Sequence, residues 1–382
     1  MHKVQLAYTL ASERATSRPL HHPLIAMLAA VHATGSISGA ARKLEFSYRH
    51  VWGELKRWEA ELGQPLVSWV KGQPAVLAPF GEKLLWSERR ALARLAPQIE
   101  ALRSELERAF ALAFDDSAGV VTLFASFDEA LPRLRDRVGP QLHLDIEFTG
   151  SVDALAALND GRCLLAGFHA LTASKLRSPT ADTYRSMLKP GRHKLIGFAR
   201  RAQGLIVAAD NPLRIDSVHD LSRPGLRFAN GPRGSGTRIV LEELLGAARV
   251  ASAGIDGFES GERSHQAAAE AVASGRADAA FGTLPAAQAR GLHFVPLAQE
   301  QYFFVTLAPH LKHPHVLSLL AALQSEGWRA ELGAIPGHAA ERCGDVLALS
   351  QVLPWWNYRK PKPARGAAAA SSRNRPTRGV IE

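Results

Sequence analysis

Gly35-Ser-Ile-Ser-Gly-Ala-Ala-Arg42, followed by Phe46-Ser-Tyr-Arg-His-Val-Trp52, is the stretch whose periodicity fixes the N-terminal part of the chain. Thr34-Gly35 stops a preceding helix, His22 to Ala33, whose apolar stripe is Leu24, Ile25, Leu28, Ala29 and Val31. Ser36 can cap a second helix, Ile37 to Leu44, where Gly39, Ala40 and Ala41 leave room for a close crossing. After the turn Glu45-Phe46-Ser47, Ser47 can cap a third helix, Tyr48 to Leu62, with Val51, Leu55, Trp58 and Leu62 on its buried face. Two short helices, a tight turn and a longer basic helix form a helix-turn-helix pattern. Ser36, Ser38, Ser47, Tyr48, Arg49, His50 and Lys56 are then placed to meet base edges or phosphates in a major groove. Pro65-Leu-Val-Ser-Trp-Val70 and Ala75-Val-Leu77 read as a hairpin, a wing whose basic turn carries Lys71.

Working outward, the chain has 382 residues and 46% hydrophobic content, enough for two domains with real cores. No apolar run approaches the ~18 residues of a membrane span, and the polar N-terminus does not read as a secretory signal. Cys163 and Cys343, far apart, make neither a disulfide framework nor a zinc site, and a reducing cytoplasm is expected. The net charge of +10 is uneven. Residues 1–112 carry 15 Lys and Arg against 10 Asp and Glu, residues 113–358 carry 24 against 25, and residues 359–382 carry 7 against 1. A basic N-terminal domain suits a polyanionic partner, double-stranded DNA above all.

The reading divides the chain into a loose segment at 1–20, a winged helix-turn-helix at 21–78, a linker and dimerisation helix at 79–114, an α/β sensor domain at 117–358 and a disordered basic tail at 359–382. In the linker, Leu92, Leu95, Ile99, Leu102 and Leu106 recur at spacings of three and four, a seam for a second copy of the chain, with Pro97 kinking the helix or removing one hydrogen bond. The alternative is packing on the chain's own domain.

In the sensor domain, Gly119–Ala125, Leu142–Phe148 and Cys163–Phe168 read as strands and Asp128–Val138 and Val152–Asp160 as helices. That alternation predicts a parallel sheet with helices on both faces and a ligand site at the carboxyl ends of the strands. Ser126, Ser151 and His169 stand at those ends. Further on come a strand at Gly204–Ala209, another at Leu226–Asn230, the turn Gly231-Pro-Arg-Gly-Ser-Gly-Thr-Arg238, and a helix at Ile239–Ala248. The turn could cradle an anion through Arg233, Gly234, Ser235, Gly236, Thr237 and Arg238. It is neither a Walker loop nor a dinucleotide fingerprint. Ser126 and Ser151 also fit simple helix caps, and His169 and His265 read equally as structural histidines or ligand contacts. Tyr302 and Phe303 read as core, and Trp355-Trp356 as a packing anchor. No triad, metal-ligand cluster or phosphate-loop lysine is recognisable, so no enzyme activity is expected.

The N-terminal motifs quoted above, with Gly63-Gln-Pro-Leu-Val67, resemble the DNA-binding domain of ModE-type molybdate regulators and are close to LysR-type regulators, over about residues 20–112. The wing is shorter than in the ModE type. Arg201-Ala-Gln-Gly-Leu-Ile-Val-Ala208, Asp220-Leu-Ser-Arg-Pro-Gly-Leu-Arg-Phe228, Arg233-Gly-Ser-Gly-Thr-Arg238, Ala273-Ser-Gly-Arg-Ala-Asp-Ala-Ala-Phe-Gly282 and Leu332-Gly-Ala-Ile-Pro-Gly337 resemble a PBP-like, molybdate-binding-like domain of the two-lobed type II periplasmic-binding-protein fold. Phe127 departs from it, standing where a polar residue is expected. The resemblance implies a cytoplasmic regulator that binds an operator as a homodimer or tetramer, contacts RNA polymerase, and takes molybdate or tungstate as effector without a cofactor. The alternatives are a LysR-like sensor of a small carboxylate such as formate, and a cytosolic molybdate store that binds no DNA.

Overall fold

The computed structural model describes residues 22–69, 74–114, 119–138, 142–171 and 175–356. The segment 1–20, Lys71 and the segment 359–382 lie outside the described residues. Among the described residues, no single helix is long and apolar enough to cross a membrane.

Helices α1 (His22–Thr34), α2 (Ile37–Lys43) and α3 (Tyr48–Leu62) bury Leu24, Leu28, Val31, Ile37, Ala40, Val51, Leu55 and Trp58 in one small core. The two serines cap as their positions require. Ser36 Oγ accepts from Gly39 N at 2.9 Å and Ser47 Oγ from His50 N at 3.1 Å. Short strands β1 (Val67–Ser68) and β2 (Val76–Leu77) pair antiparallel as the wing. Helix α4 (Pro79–Phe114) then runs for 36 residues, about 54 Å at the standard rise, and continues through Pro97.

The rest alternates as β3 (Gly119–Ala125), α5 (Ala130–Arg137), β4 (Leu142–Phe148), α6 (Ser151–Asn159), β5 (Leu165–Leu171), α7 (Pro179–Tyr184) and β6 (His193–Val207). It continues through β7 (Phe228–Ala229), α8 (Gly236–Ala248), α9 (His265–Ala273), β8 (Ala279–Thr283), α10 (Leu284–Gln288) and β9 (His293–Leu307). Helices α11 (Pro314–Gln324) and α12 (Glu326–Gly333), strands β10 (His338–Ala339) and β11 (Val346–Leu347), and α13 (Leu349–Val352) complete it. The sheet order is β4-β3-β5-β9-β6-β8-β7, with β10 and β11 on β6.

The expectation of a parallel sheet needs correction. Pairs β3–β4, β3–β5 and β7–β8 are parallel, but β5–β9, β6–β9 and β6–β8 are antiparallel. The cause is a pair of 15-residue strands, β6 and β9, that run through both lobes and pair along their whole length. The sequence reading began β6 at Gly204, because Arg200-Arg201-Ala-Gln203 interrupts the apolar pattern. In the structure that polar run lies inside the strand, where the lobes meet. Clusters around Leu123, Ile146 and Phe198, and around Leu155, Phe168 and Phe303, build the first lobe. Clusters around Leu205, Phe228 and Phe281, and around Ile206 and Ala280, build the second.

Helix α4 resolves the question of its two faces. Ala93, Pro97 and Ser104 are buried on the chain's own sensor domain. Leu95 and Leu102, on the seam, remain 50% and 47% exposed, and Leu92, Ile99 and Leu106 are half-buried. Own-domain packing therefore uses the small residues and leaves Leu95 and Leu102 about half exposed. Replacing Leu95 and Leu102 together with Glu should reduce the solution mass from oligomer to monomer in light scattering behind a sizing column. An unchanged mass would assign the seam no role in assembly.

Candidate functional site

At the helix-turn-helix, Ser38, Ser47, Tyr48, Arg49 and His50 are exposed, and Ser36 is half-buried as a cap. Tyr48 stacks on Trp52 with centroids 6.4 Å apart, and Phe46 lies against His50 at 4.7 Å. These contacts give the start of α3 a fixed aromatic edge beside Arg49. Lys56 does not stand free as expected. Its Nζ lies 2.7 Å from Glu59 Oε2 and over the Trp52 ring, while Glu59 Oε1 accepts from Leu66 N and Val67 N. Lys56 thus balances the carboxylate that fixes the start of the wing. Arg42 and Lys43, both exposed at the end of α2, were not singled out by the sequence reading.

The second candidate is a cleft of about 1210 Å³ between the lobes. Ser126, Phe127, Thr149 and Gly150 line it from the first lobe, and Pro232, Ser235, Thr237 and His265 from the second. The N-termini of α6, α8 and α9 reach it. First-turn N–H groups have no partner within their helix, so each end carries partial positive charge. Asp153 opposes that charge in the first turn of α6, whereas α8 and α9 have no acidic residue there. Ser126 Oγ is buried with no hydrogen-bond partner.

The glycines of the turn act through close approach. Gly234, at φ 78°, accepts from Val152 N at its carbonyl, which brings the turn onto the start of α6. A Cβ on Gly236 would lie 2.5 Å from the His169 ring. This closeness corrects the placing of Ser151. Its hydroxyl is fully buried beside the Tyr184 phenol, behind the cleft wall. Arg233 and Arg238 also point elsewhere. Arg233 pairs with Glu259 at the surface, and buried Arg238 binds Glu242, Glu259 and the Phe258 carbonyl. Both guanidiniums fasten the turn to the 256–260 loop, and neither lines the cleft.

His169 belongs to a buried ionic cluster under the cleft, which the sequence reading missed. Arg201 on β6 binds Asp128, donates to Glu300 Oε1 at 2.5 Å and donates to His169 Nδ1 at 2.9 Å. The same Nδ1 lies 3.5 Å from Glu300 Oε1, so the ring sits between the guanidinium and the carboxylate. Gln203 donates to Glu300 at 2.8 Å, and His338 Nε2 lies 3.2 Å from Asp128. Burial pushes the Asp128 carboxyl up, but His338 and Arg201 outweigh it and hold it well below the usual range. Burial likewise pulls His338 down, and Asp128 lifts it above its ordinary value. Burial opposes ionisation of Glu300 as well, and Arg201 overrides it and lowers the pKa. Arg201 and His338 thus face Asp128 and Glu300, with the Glu129 carboxyl buried beside them and pushed up by that burial. The only sequence signal was a polar interruption in an apolar run.

His265 keeps part of its ring open to the cleft, yet desolvation and then Arg201 hold it down to about 3. Burial lowers His169 too. Both histidines stay neutral in the fold while their unfolded counterparts protonate near 6.5, so their contribution fades as pH falls below that value. His338 works in the opposite direction. Its raised pKa stabilises fully below 6.5 and is lost as pH rises through the folded value. These three histidines together favour a stability maximum near pH 6.5. In melting curves, His338→Gln should lower stability throughout, because Asp128 loses a partner, and should also flatten the decline on the alkaline side. A loss confined to the acid side would refute the assignment.

The comparisons agree with this architecture. Residues 24–82 match the model described as bacterial regulatory helix-turn-helix protein, lysR family, and residues 133–324 match the PBP superfamily domain. Uncharacterized protein YvgK of Bacillus subtilis (strain 168) is 32% identical over 202 residues, 53% of this chain and 64% of that protein. Molybdenum-pterin-binding protein MopB of Rhodobacter capsulatus is 42% identical over 65 residues, 16% of this chain and 24% of that protein. The chain thus spans less than two thirds of the length of either. Full-length BenM, 15% identical, matches over 78% of this chain and 94% of its own with a TM-score of 0.39. ArgP from Mycobacterium tuberculosis, 18% identical, matches over 79% of this chain and 96% of its own with a TM-score of 0.38. The chain belongs to the PBP superfamily, with a lysR-family regulatory helix-turn-helix placed ahead of that domain.

Proposed function

We propose that this chain is a transcription regulator whose helix-turn-helix binds operator DNA under the control of a small anion held in the interlobe cleft. The observation that carries the reading is the convergence of three helix N-termini with the Ser126, Ser235 and Thr237 hydroxyls on one cavity. The cleft wall carries two cations, Arg162 and Arg263, and five carboxylates, Glu105, Asp145, Glu147, Asp153 and Glu262, so the anion would be held at the helix ends and hydroxyls, away from the acidic part of the wall. Such a cradle suits a tetrahedral dianion, because N–H and O–H donors hold charge without a counterion to displace. Molybdate or tungstate is the effector we favour, in keeping with the partial similarity to the molybdenum-pterin-binding protein MopB. A carboxylate such as formate is the second reading, favoured by Arg162 and Arg263 on the cleft wall.

On the DNA side, Tyr48, Arg49 and His50 on an exposed helix start fit the major groove, with Ser38 and Ser47 as neighbouring donors. A homodimer would set two such helices on a two-fold operator, with tetramers and contact to RNA polymerase as further steps. A store that binds no DNA would have no use for that surface.

In a footprinting titration, Tyr48→Ala and Arg49→Ala should each weaken specific binding by about 1–3 kcal/mol. The wild-type affinity should also drop steeply with added salt as phosphate contacts release counterions. Footprints identical to wild type in both variants would move the interface elsewhere. In calorimetry with molybdate and formate, Ser126→Ala and Thr237→Ala should each weaken binding by about 1–3 kcal/mol, one charge-assisted hydrogen bond. Full affinity in both variants would exclude this cleft, and binding of formate alone would keep the cleft while replacing the ligand class.

A further inference from the structure

Pro97 and Ser264 together point to a role for the linker helix that its leucine seam does not supply. A proline has no N–H, so Pro97 cannot donate to the carbonyl of Ala93 four residues earlier. That carbonyl is left without its helical partner in the middle of a long helix. Ser264 Oγ donates to it at 2.9 Å. Ser264 is also the cap of α9, accepting from Ala267 N, and it lines the cleft. One residue therefore fastens the start of a cleft helix to the arm that carries the DNA-binding domain. Arg94 adds an ion pair to Glu262, 3.7 Å away.

Farther along, the same helix is fixed to the other lobe. Ser104 Oγ accepts from Ile146 N at 3.1 Å, the Ser104 carbonyl accepts from His143 Nε2 at 3.1 Å, and Glu100 pairs with Arg135 at 3.0 Å. Between the two anchors, Pro97, Gln98, Ala101 and Leu102 line the same cleft as Ser126, Thr237 and His265. Gln98 lies beside Arg263, and with its amide turned so that the nitrogen faces the Arg94 and Leu95 carbonyls its oxygen would accept from Arg263 Nη1 at 3.2 Å.

We propose that α4 is the third wall of the ligand site, with Gln98 and Ala101 facing the bound anion and the Ala93–Ser264 bond coupling α9 to the DNA-carrying arm. The proposal rests on the cleft being the effector site. A ligand that draws the lobes together changes the span between Ser104 and Ser264, and the helix bridging those points must shift or let go. The signal then needs no separate relay, because the helix that feels the ligand is the helix that positions the DNA-binding domain.

The test uses the full chain and three variants. Gln98→Cys with Arg263→Cys, treated with a short bismaleimide, should cross-link within one chain in the free protein. Absence of that link means α4 is not docked across the cleft, and the proposal falls. Ala101→Trp fills the cleft from the helix side and should weaken molybdate or formate binding at least about tenfold, within the usual range of site coupling. Wild-type affinity in that variant overturns the third wall even if the cross-link forms. Pro97→Ala restores an N–H that competes with Ser264 for Ala93, and should separate anion binding from the change in operator affinity. A wild-type response in Pro97→Ala overturns the coupling. If the wild type takes neither anion, the ligand class proposed above fails separately. The cross-linked protein then decides the matter: locking α4 should change operator affinity at least about fivefold, and no change overturns the proposal.

Discussion

Arg201 leaves β6 where the two lobes join, and three elements of the sensor domain close on its guanidinium: the loop before α5 through Asp128, β9 through Glu300 and β5 through His169. A buried charge of this kind is tolerated only while its partners remain. Losing one member of such a group costs about 3–5 kcal/mol, since the charge left behind has no water to turn to. The group therefore fixes where β6 and β9 cross and holds the Asp128 loop, whose Ser126 and Phe127 shape the cleft. Any movement of one lobe against the other has to pivot about this point. His338, brought in by β10, supplies the second positive charge and makes the balance depend on pH.

The character of the proposed site comes from its walls. The starts of α8 and α9 carry no acidic residue in the first turn, so their helix ends keep their partial positive charge toward the cleft. Arg233 and Arg238, which a reading of the turn alone would aim at a ligand, are spent on Glu259 and Glu242. They keep the turn rigid, so its backbone can be presented to the cleft. Helix α4 closes the remaining side. Its small buried residues let it lie against the lobes, while Leu95 stays exposed and Leu102 borders the cleft.

The N-terminal unit was legible almost residue by residue. Its signals are local: Ser36 and Ser47 cap helices three residues away, and the stripe Val51, Leu55 and Trp58 follows the helical period. Strands β3 and β4 and helices α6 and α8 were legible for the same reason. The pairing of Lys56 with Glu59 was not legible, because Glu59 had been given no task. The carboxylate is needed by the Leu66 and Val67 amides, which arrive from the next element.

The sequence by itself determined the order of elements as far as β5, the helix-turn-helix with its caps, and the glycine-rich turn ahead of α8, because each rests on contacts within a few residues. Only the tertiary structure decided that Arg200 to Gln203 lie inside a strand, that Arg201 meets Asp128 and Glu300 from 73 and 99 residues away, and that Ser151 sits behind the cleft wall. It also decided what Pro97 does. The sequence shows a hydrogen bond lost within a helix, and only the packing of α9 shows the Ser264 hydroxyl that takes up the carbonyl left free. A charge or a carbonyl in one segment carries no mark of the distant group that will satisfy it, since that pairing exists only once burial has removed water as the alternative partner.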